Sequence, residues 1–210
     1  MIRWESGEAA HTLSSGFVTT GWENALGEAF RRLDLSPLGK FARVGYEAKS
    51  CGCLVESASG KGWLKLTGVP LGLRNVRREP EEAAQDLVGV PKPGLIAQQD
   101  WSDGDLCWRA TVTVLVTAPT LMQIQNDAIL DDHWVSSLRT ALEALGRVPT
   151  EHHCRVPDYV TSAIAERFGV RPHGVEEWRT AHGDLSWDNL TAPELMLFDW
   201  ETWGLGAARL

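Results

Sequence analysis

The apolar positions of the chain change period as it proceeds. Trp22, Leu26, Phe30 and Leu33 recur at helical spacing and predict a helix over 22–33. Ser36-Pro37-Leu38-Gly39 then breaks it. Beyond that point the period shortens. Residues 41–46 and 52–56 read as strands, and a turn over 57–62 leads to a third strand at 63–66. Side chains alternate along a strand, so Lys65 falls on the face opposite Leu64 and Leu66. Pro80 followed by Glu81 and Glu82, with Gly89 behind Val88, marks a short helix that starts at Pro80. Residues 95–98 and 106–116 predict two further strands, the second rich in Thr and Val. Thr117-Ala118-Pro119 ends that pattern.

The remainder reads as mainly helical. Trp134, Val135, Leu138, Ala141, Leu142 and Leu145 form one apolar stripe at 3.6 spacing. A second helix is expected over 157–168, with Pro157 in its first turn and Gly169 as its stop. The predicted class is α+β, in three parts: an N-terminal helical segment over 1–36, a strand-rich lobe over 37–118 and a helical lobe over 119–210.

Composition narrows the classes. A chain of 210 residues can bury a substantial core, and 43% hydrophobic with 23% charged residues is an ordinary globular mixture. The net charge of −8, from 28 acidic and 20 basic residues, argues against a general nucleic-acid binder. It suits a site that attracts cations. No apolar run reaches membrane-spanning length, and the first eight residues lack the apolar core of a signal peptide. No membrane partner is expected, and the cytoplasm is the expected location. Cys51-Gly52-Cys53 with His152-His153-Cys154 departs from the usual spacing of zinc ligands, so the four cysteines are read as free thiols.

The chemistry concentrates in His182-Gly183-Asp184-Leu185-Ser186-Trp187-Asp188-Asn189, followed by an apolar run at 195–198 that leads into Asp199. Asn189 lies five residues after Asp184, and Asp199 ten after Asn189. Protein kinases carry the pattern H-R-D-L-x-x-x-N, in which the Asp accepts the proton of the attacking hydroxyl and the Asn serves a magnesium ion. Here Gly183 stands where that pattern has Arg. Without that Arg the docking point for a phosphorylated activation loop is missing, which favours a small-molecule acceptor over a protein. The apolar run reads as a short buried strand that delivers Asp199 at its end.

His-Gly-Asp-Leu with the downstream Asn and Asp resembles the aminoglycoside phosphotransferase and choline kinase branch of the kinase-like fold. The resemblance implies a bilobal fold with ATP and Mg2+ as cofactors, and transfer of the γ-phosphate to a hydroxyl of a small molecule. Asp184 would be catalytic, and Asn189 and Asp199 would hold the metal. Lys65 would contact the phosphates, with Lys61 as the poorer alternative, and Ser50 would contribute from the covering loop. Glu82 would pair with Lys65, Glu79 being the alternative, while backbone near Val116 and Ala118 would hold the adenine. His182 would be structural, and Trp187 and Trp203 are candidates for the acceptor wall or for core. A nucleotide-binding relative without turnover is the rival reading. Members of the family continue for several helices beyond the metal-binding Asp, whereas Leu210 lies eleven residues after Asp199. The expectation is therefore a shortened chain, frayed near Asp199, with Trp200 and Trp203 partly exposed and self-association through that surface.

Overall fold

The computed structural model describes residues 3–4, 16–38, 41–44, 50–70, 80–104, 106–124, 130–148, 178–200 and 203–207. The helix expected over 157–168, Glu79, and the His152–Cys154 cluster lie outside these residues. The chain forms two compact units, residues 1–76 with 94–116, and residues 77–93 with 117–210.

Among the described residues the first unit is a sheet with one helix against it. Strands β1 (Arg3–Trp4), β2 (Ser36–Pro37), β3 (Phe41–Val44), β4 (Ser50–Ser57), β5 (Gly60–Pro70), β6 (Leu95–Asp103) and β7 (Leu106–Val114) make it up. Their order is β1-β3-β4-β5-β7-β6, with β2 also beside β4. The sheet is antiparallel except where β1 runs parallel to β3. Helix α1 (Gly16–Leu33) ends in a left-handed residue, Asp34, at φ 51°. The Leu35 amide then reaches back to the Phe30 carbonyl at 2.9 Å, a cap that satisfies one of the last orphan carbonyls.

Alternation explains the core. Cys51, Cys53 and Val55 of β4, Leu64 and Leu66 of β5, and Ala110 and Val112 of β7 are buried in one cluster with Trp22, Ala25, Leu26 and Ala29 of α1. Burial pushes the Cys51 thiol well up and the Cys53 thiol up to about 11, so both are unreactive. Cys51, Cys53 and Cys107 are free thiols.

Three details depart from the expected pattern. The turn before β5 is only Ala58–Ser59, closed by the pair Ser57 and Gly60, with Gly60 at φ 108°. The Ser57 hydroxyl donates to the Gly60 carbonyl at 2.9 Å and accepts from the Ser59 amide, which makes the tighter turn self-sufficient. Lys61, expected in a turn, is therefore a strand residue opposite Glu56. Helix α2 (Pro80–Ala84) begins at Pro80 but spans only five residues. The chain winds on through i→i+3 bonds to Leu87 and passes Gly89 at φ 77°. This bend lets Leu87 and Val90 join Ala84 in the core of the second unit, with which residues 77–93 group.

The second unit contains α3 (Leu121–Ile124) and α4 (Asp132–Gly146). The Asp131 carboxylate accepts from the Trp134 amide at 2.8 Å and caps α4. Trp134, Ala141 and Leu145 are buried, with Leu138 packed beside them. Val135 (44% exposed) and Leu142 (37% exposed) were expected in the same stripe but face solvent. Each sits one residue, about 100°, around the helix from the buried row. Among the described residues no helix is long and apolar enough to cross a membrane.

Candidate active site

The Asp184 motif lies in a loop held at both ends. Strand β8 (Trp178–Ala181) runs antiparallel to β9 (Gly204–Ala207), pairing Ala181 with Gly204 and Trp178 with Ala207. The Thr180 hydroxyl donates to the Val148 carbonyl at 2.9 Å and fastens β8 to the end of α4.

Gly183 has φ 86°, a conformation that costs any residue with a Cβ about 1 kcal/mol or more, so the glycine is required by the backbone. It turns the chain between the buried His182 and the exposed Asp184. A single 3-10 turn, Trp187–Asn189, follows, with the Asn189 amide bonded to the Ser186 carbonyl at 3.0 Å. The turn buries the Asn189 side chain. Its Nδ2 donates to the Asp184 backbone carbonyl and to Asp184 Oδ2, each at 3.0 Å. Both partners are acceptors, so the amide nitrogen must face them and the amide oxygen points elsewhere.

A tight hairpin carries the chain from Asn189 to Asp199. Leu190 pairs with Leu197, the Phe198 amide donates to the Asn189 carbonyl at 3.0 Å, and the Thr191 amide to the Met196 carbonyl at 3.2 Å. Thr191, fully buried, donates its hydroxyl to the Glu194 carbonyl at 2.6 Å and accepts from the Met196 amide at 2.9 Å. The hairpin is anchored from outside. Trp134 Nε1 donates to the Thr191 carbonyl at 2.9 Å, the Leu121 amide to the Leu190 carbonyl at 2.8 Å, and the Leu197 amide to the Pro91 carbonyl at 3.0 Å. Asp199 then adopts φ 57°. An aspartate in the left-handed region is strained by the order of 1 kcal/mol and is retained where the surroundings enforce it.

His182, 2% exposed, lies with its ring centroid 4.4 Å from that of Trp200. Neither ring nitrogen meets a partner at hydrogen-bond geometry. Burial lowers its pKa, opposed by the nearby backbone of Phe198 and Asp184 and by the Asp184 and Asp199 carboxylates. The ring is neutral at pH 7.

Magnesium prefers oxygen ligands and is held by one or two carboxylates together with phosphates and water. The Asn189 amide oxygen, turned away by the two bonds to Asp184, and the exposed Asp199 carboxylate are donors of that kind, so the chemistry of the pair fits the ion. Among the described residues no three His, Cys, Asp or Glu side chains cluster as a metal site, so the remaining ligands would be phosphate oxygens and water.

The remaining candidates divide between the units. Lys65, Ser50 and Val116 belong to the first. In the ladder Lys65 opposes Gly52 and Ser50 opposes Thr67, which places Lys65 and Ser50 on one face, away from α1. Glu82, third residue of α2, and Ala118 belong to the second unit with Asp184, Asn189 and Asp199. Two expectations are overturned. Trp200 and Trp203 are buried, at 3% and 2% exposed, rather than left uncovered. Trp200 packs on His182 and edge-on to Trp203, and its Nε1 donates to the Leu197 carbonyl at 3.1 Å. Residues 204–207, beyond Asp199, are tied down, because β9 pairs with β8. Trp203 is thus core, while Trp187 is 58% exposed. The anchoring roles of Thr191 and Trp134 went unread; Thr191 three residues before Glu194 is the spacing of a local hydroxyl turn, a signal available in the chain.

No protein-family model and no curated protein matches the chain. Solved structures do. One is a thermostable mutant of aminoglycoside phosphotransferase APH(4)-Ia in its apo form, at TM-score 0.50 and 12% identity, covering 82% of this chain and 68% of that one. Spectinomycin phosphotransferase APH(9)-Ia, solved with ADP and spectinomycin, superposes at TM-score 0.49 and 12% identity, over 81% of this chain and 64% of its own. An aminoglycoside-3'-phosphotransferase of type VIII superposes at 0.49 and 17% identity, over 87% and 79%. The chain has the kinase-like α+β fold of the aminoglycoside phosphotransferases, and it spans under two thirds of the spectinomycin enzyme.

Proposed function

We propose that the protein is an ATP-dependent phosphotransferase that moves a γ-phosphate to a hydroxyl of a small molecule. The observation that carries the reading is the locking of Asn189 onto Asp184. One side chain orients the carboxylate and keeps its amide oxygen out of that contact, and in this reading that oxygen and the Asp199 carboxylate would hold the cation. The fold and the spacing of Asp184, Asn189 and Asp199 support it.

In this reading Asp184 binds the acceptor hydroxyl and takes its proton as the oxygen attacks. Its exposed carboxylate is pinned at Oδ2 by Asn189, which leaves Oδ1 for the acceptor. Magnesium held by Asn189 and Asp199 would offset the charge of the nucleotide phosphates. Lys65, with Glu82 as its proposed partner and Ser50 in the covering strand, binds phosphate oxygens, and backbone near Val116 and Ala118 holds the adenine. The acceptor is an aminoglycoside-like compound, an amino-alcohol or a sugar.

Thermal melting with ATP, with and without magnesium, tests the nucleotide part, since a ligand bound only by the folded chain raises its Tm. A magnesium-dependent rise supports the reading. No shift with any nucleotide at millimolar concentration would remove it. Acceptor-dependent ADP release with a panel of aminoglycosides, amino-alcohols and sugars then separates a working enzyme from a relative that binds without turnover.

A further inference from the structure

The two arms of the hairpin between Asn189 and Asp199 are held differently. On the first arm, Leu190, Thr191 and Ala192 bond to Leu121, Trp134 and Pro119. The second arm runs into Asp199, and its bond outside the hairpin is that of the Leu197 amide to the Pro91 carbonyl at 3.0 Å. Both candidate cation ligands depend on that bond. Asp199 follows Leu197 by two residues, and the Phe198 amide holds the Asn189 carbonyl. Residues 85–94, between α2 and β6, belong to no helix or strand, so no ladder fixes the Pro91 carbonyl. Side chains fix it instead. Pro91 and Pro93 lock their own φ. Lys92 turns back between them, and its Nζ donates to the Leu87 carbonyl at 2.6 Å and, more weakly, to the Val90 carbonyl at 3.4 Å. Gln85 Nε2 adds a bond to the Pro93 carbonyl at 3.3 Å.

We propose that Lys92 is a positioning residue for the cation site: by clasping the Leu87 and Val90 carbonyls it fixes the Pro91 carbonyl, and through it the arm that carries Asp199. This rests on the reading of Asn189 and Asp199 as magnesium ligands. An ammonium has three donors and no acceptor, so it can gather carbonyls that point from different residues. Leu87 and Val90 are themselves buried in the core of the second unit with Leu197, so the clasp ties the loop to the packing around the hairpin. Burial lowers the Lys92 pKa, with Asp86 opposing. A cation is costly to desolvate and is retained where oxygen atoms receive it. A lysine serving the surface alone would keep its head in water.

Hydrogen exchange in the ligand-free full chain and calorimetric titration of ATP at graded magnesium test the role. Lys92→Met keeps the stem and removes the donors. It is expected to speed exchange of the Leu197 amide roughly ten- to hundredfold, the range of one charge-assisted hydrogen bond, and to leave the amides of β5 within about twofold. The magnesium concentration at half-saturation should rise roughly three- to tenfold, while ATP affinity without magnesium stays within about twofold. Lys92→Arg, which keeps the charge and the donors, should hold both values near the parent's. Lys92→Gln, which keeps a neutral donor, should fall between, and it serves if Lys92→Met does not fold. The role is overturned if a folded Lys92→Met or Lys92→Gln protein exchanges Leu197 as slowly as the parent, or if β5 quickens equally. Faster exchange at Leu197 with an unmoved magnesium requirement overturns it too. A parent whose ATP binding ignores magnesium removes the reading of Asn189 and Asp199 as ligands, and this role with it.

Discussion

The two units hold themselves together by different means. The first is a ladder: β4 pairs with β5 over eight residue pairs and β5 with β7 over nine, and the apolar face needs only the correct alternation to close on α1. The loop that bears Asp184 and Asp199 has almost no ladder. Its shape comes from single contacts with distant partners, Trp134 to Thr191, Leu121 to Leu190 and Pro91 to Leu197, and from two residues in the left-handed region. The contrast shows where a fold can place chemistry. A regular sheet repeats its geometry and presents a cation on a flat face, whereas an irregular loop can point two carboxylates and an amide independently.

Mutation can break the comparison at several depths. In both units the largest effect should come from the fully buried leucines. Leu66→Ala in the sheet and Leu197→Ala in the hairpin should each cost about 2–5 kcal/mol in urea unfolding, through lost burial and the cavity left behind. If Leu197→Ala costs far less than Leu66→Ala, the hairpin is not a packed element. Asp184→Asn comes next: turnover should fall roughly a hundredfold or more while ATP affinity stays within a few-fold. Full activity with a true acceptor would refute the catalytic assignment.

Smaller effects sharpen the contrast. Asp199→Gly removes the left-handed strain and should raise stability by up to about 1 kcal/mol, yet abolish magnesium-dependent stabilisation by nucleotide. A loss of both would mean that the carboxylate is chiefly structural. The pH dependence should separate the units as well. The folded His182 pKa lies below its unfolded value of about 6.5, so its neutral state contributes fully above that pH. The contribution is lost as pH falls from there through the folded pKa, because the unfolded chain then binds more protons. His182→Phe should flatten this part of the stability profile, and an unchanged profile would show that the ring is not buried neutral. Val135→Ser on the exposed side of α4 should move stability by less than about 0.5 kcal/mol.

What could be read from the chain follows the same division. The spacing of Trp22, Leu26 and Phe30 and the alternation about Lys65 are local periodicities, so α1 and β5 were legible, and the Asp184, Asn189 and Asp199 spacing named the candidate site. The error at Val135 and Leu142 was one of width: an apolar residue one step round a helix fits the period but not the buried face. The length of α2 depended on Leu87 and Val90 finding the core of the second unit, formed by residues far along the chain, which no local pattern records. Trp200 and Trp203 were misjudged because their partners, His182 and each other, come together only through the β8–β9 ladder. The left-handed turn at Asp199 has no signal at all, since an aspartate letter looks the same whether its backbone is extended or left-handed.

The β8–β9 ladder has a consequence for motion. A loop whose two ends are zipped loses most of the freedom its ends would otherwise have, and the entropy of closing it is met by the four residue pairs before any ligand arrives. The ladder and the loop then open as one cooperative unit in hydrogen exchange, not as a fraying tail. A ligand that grips Asp184 and Asp199 would slow exchange at the amides of Thr180 and Leu205, which it never touches, so the state of the site can be followed from the strands that enclose it.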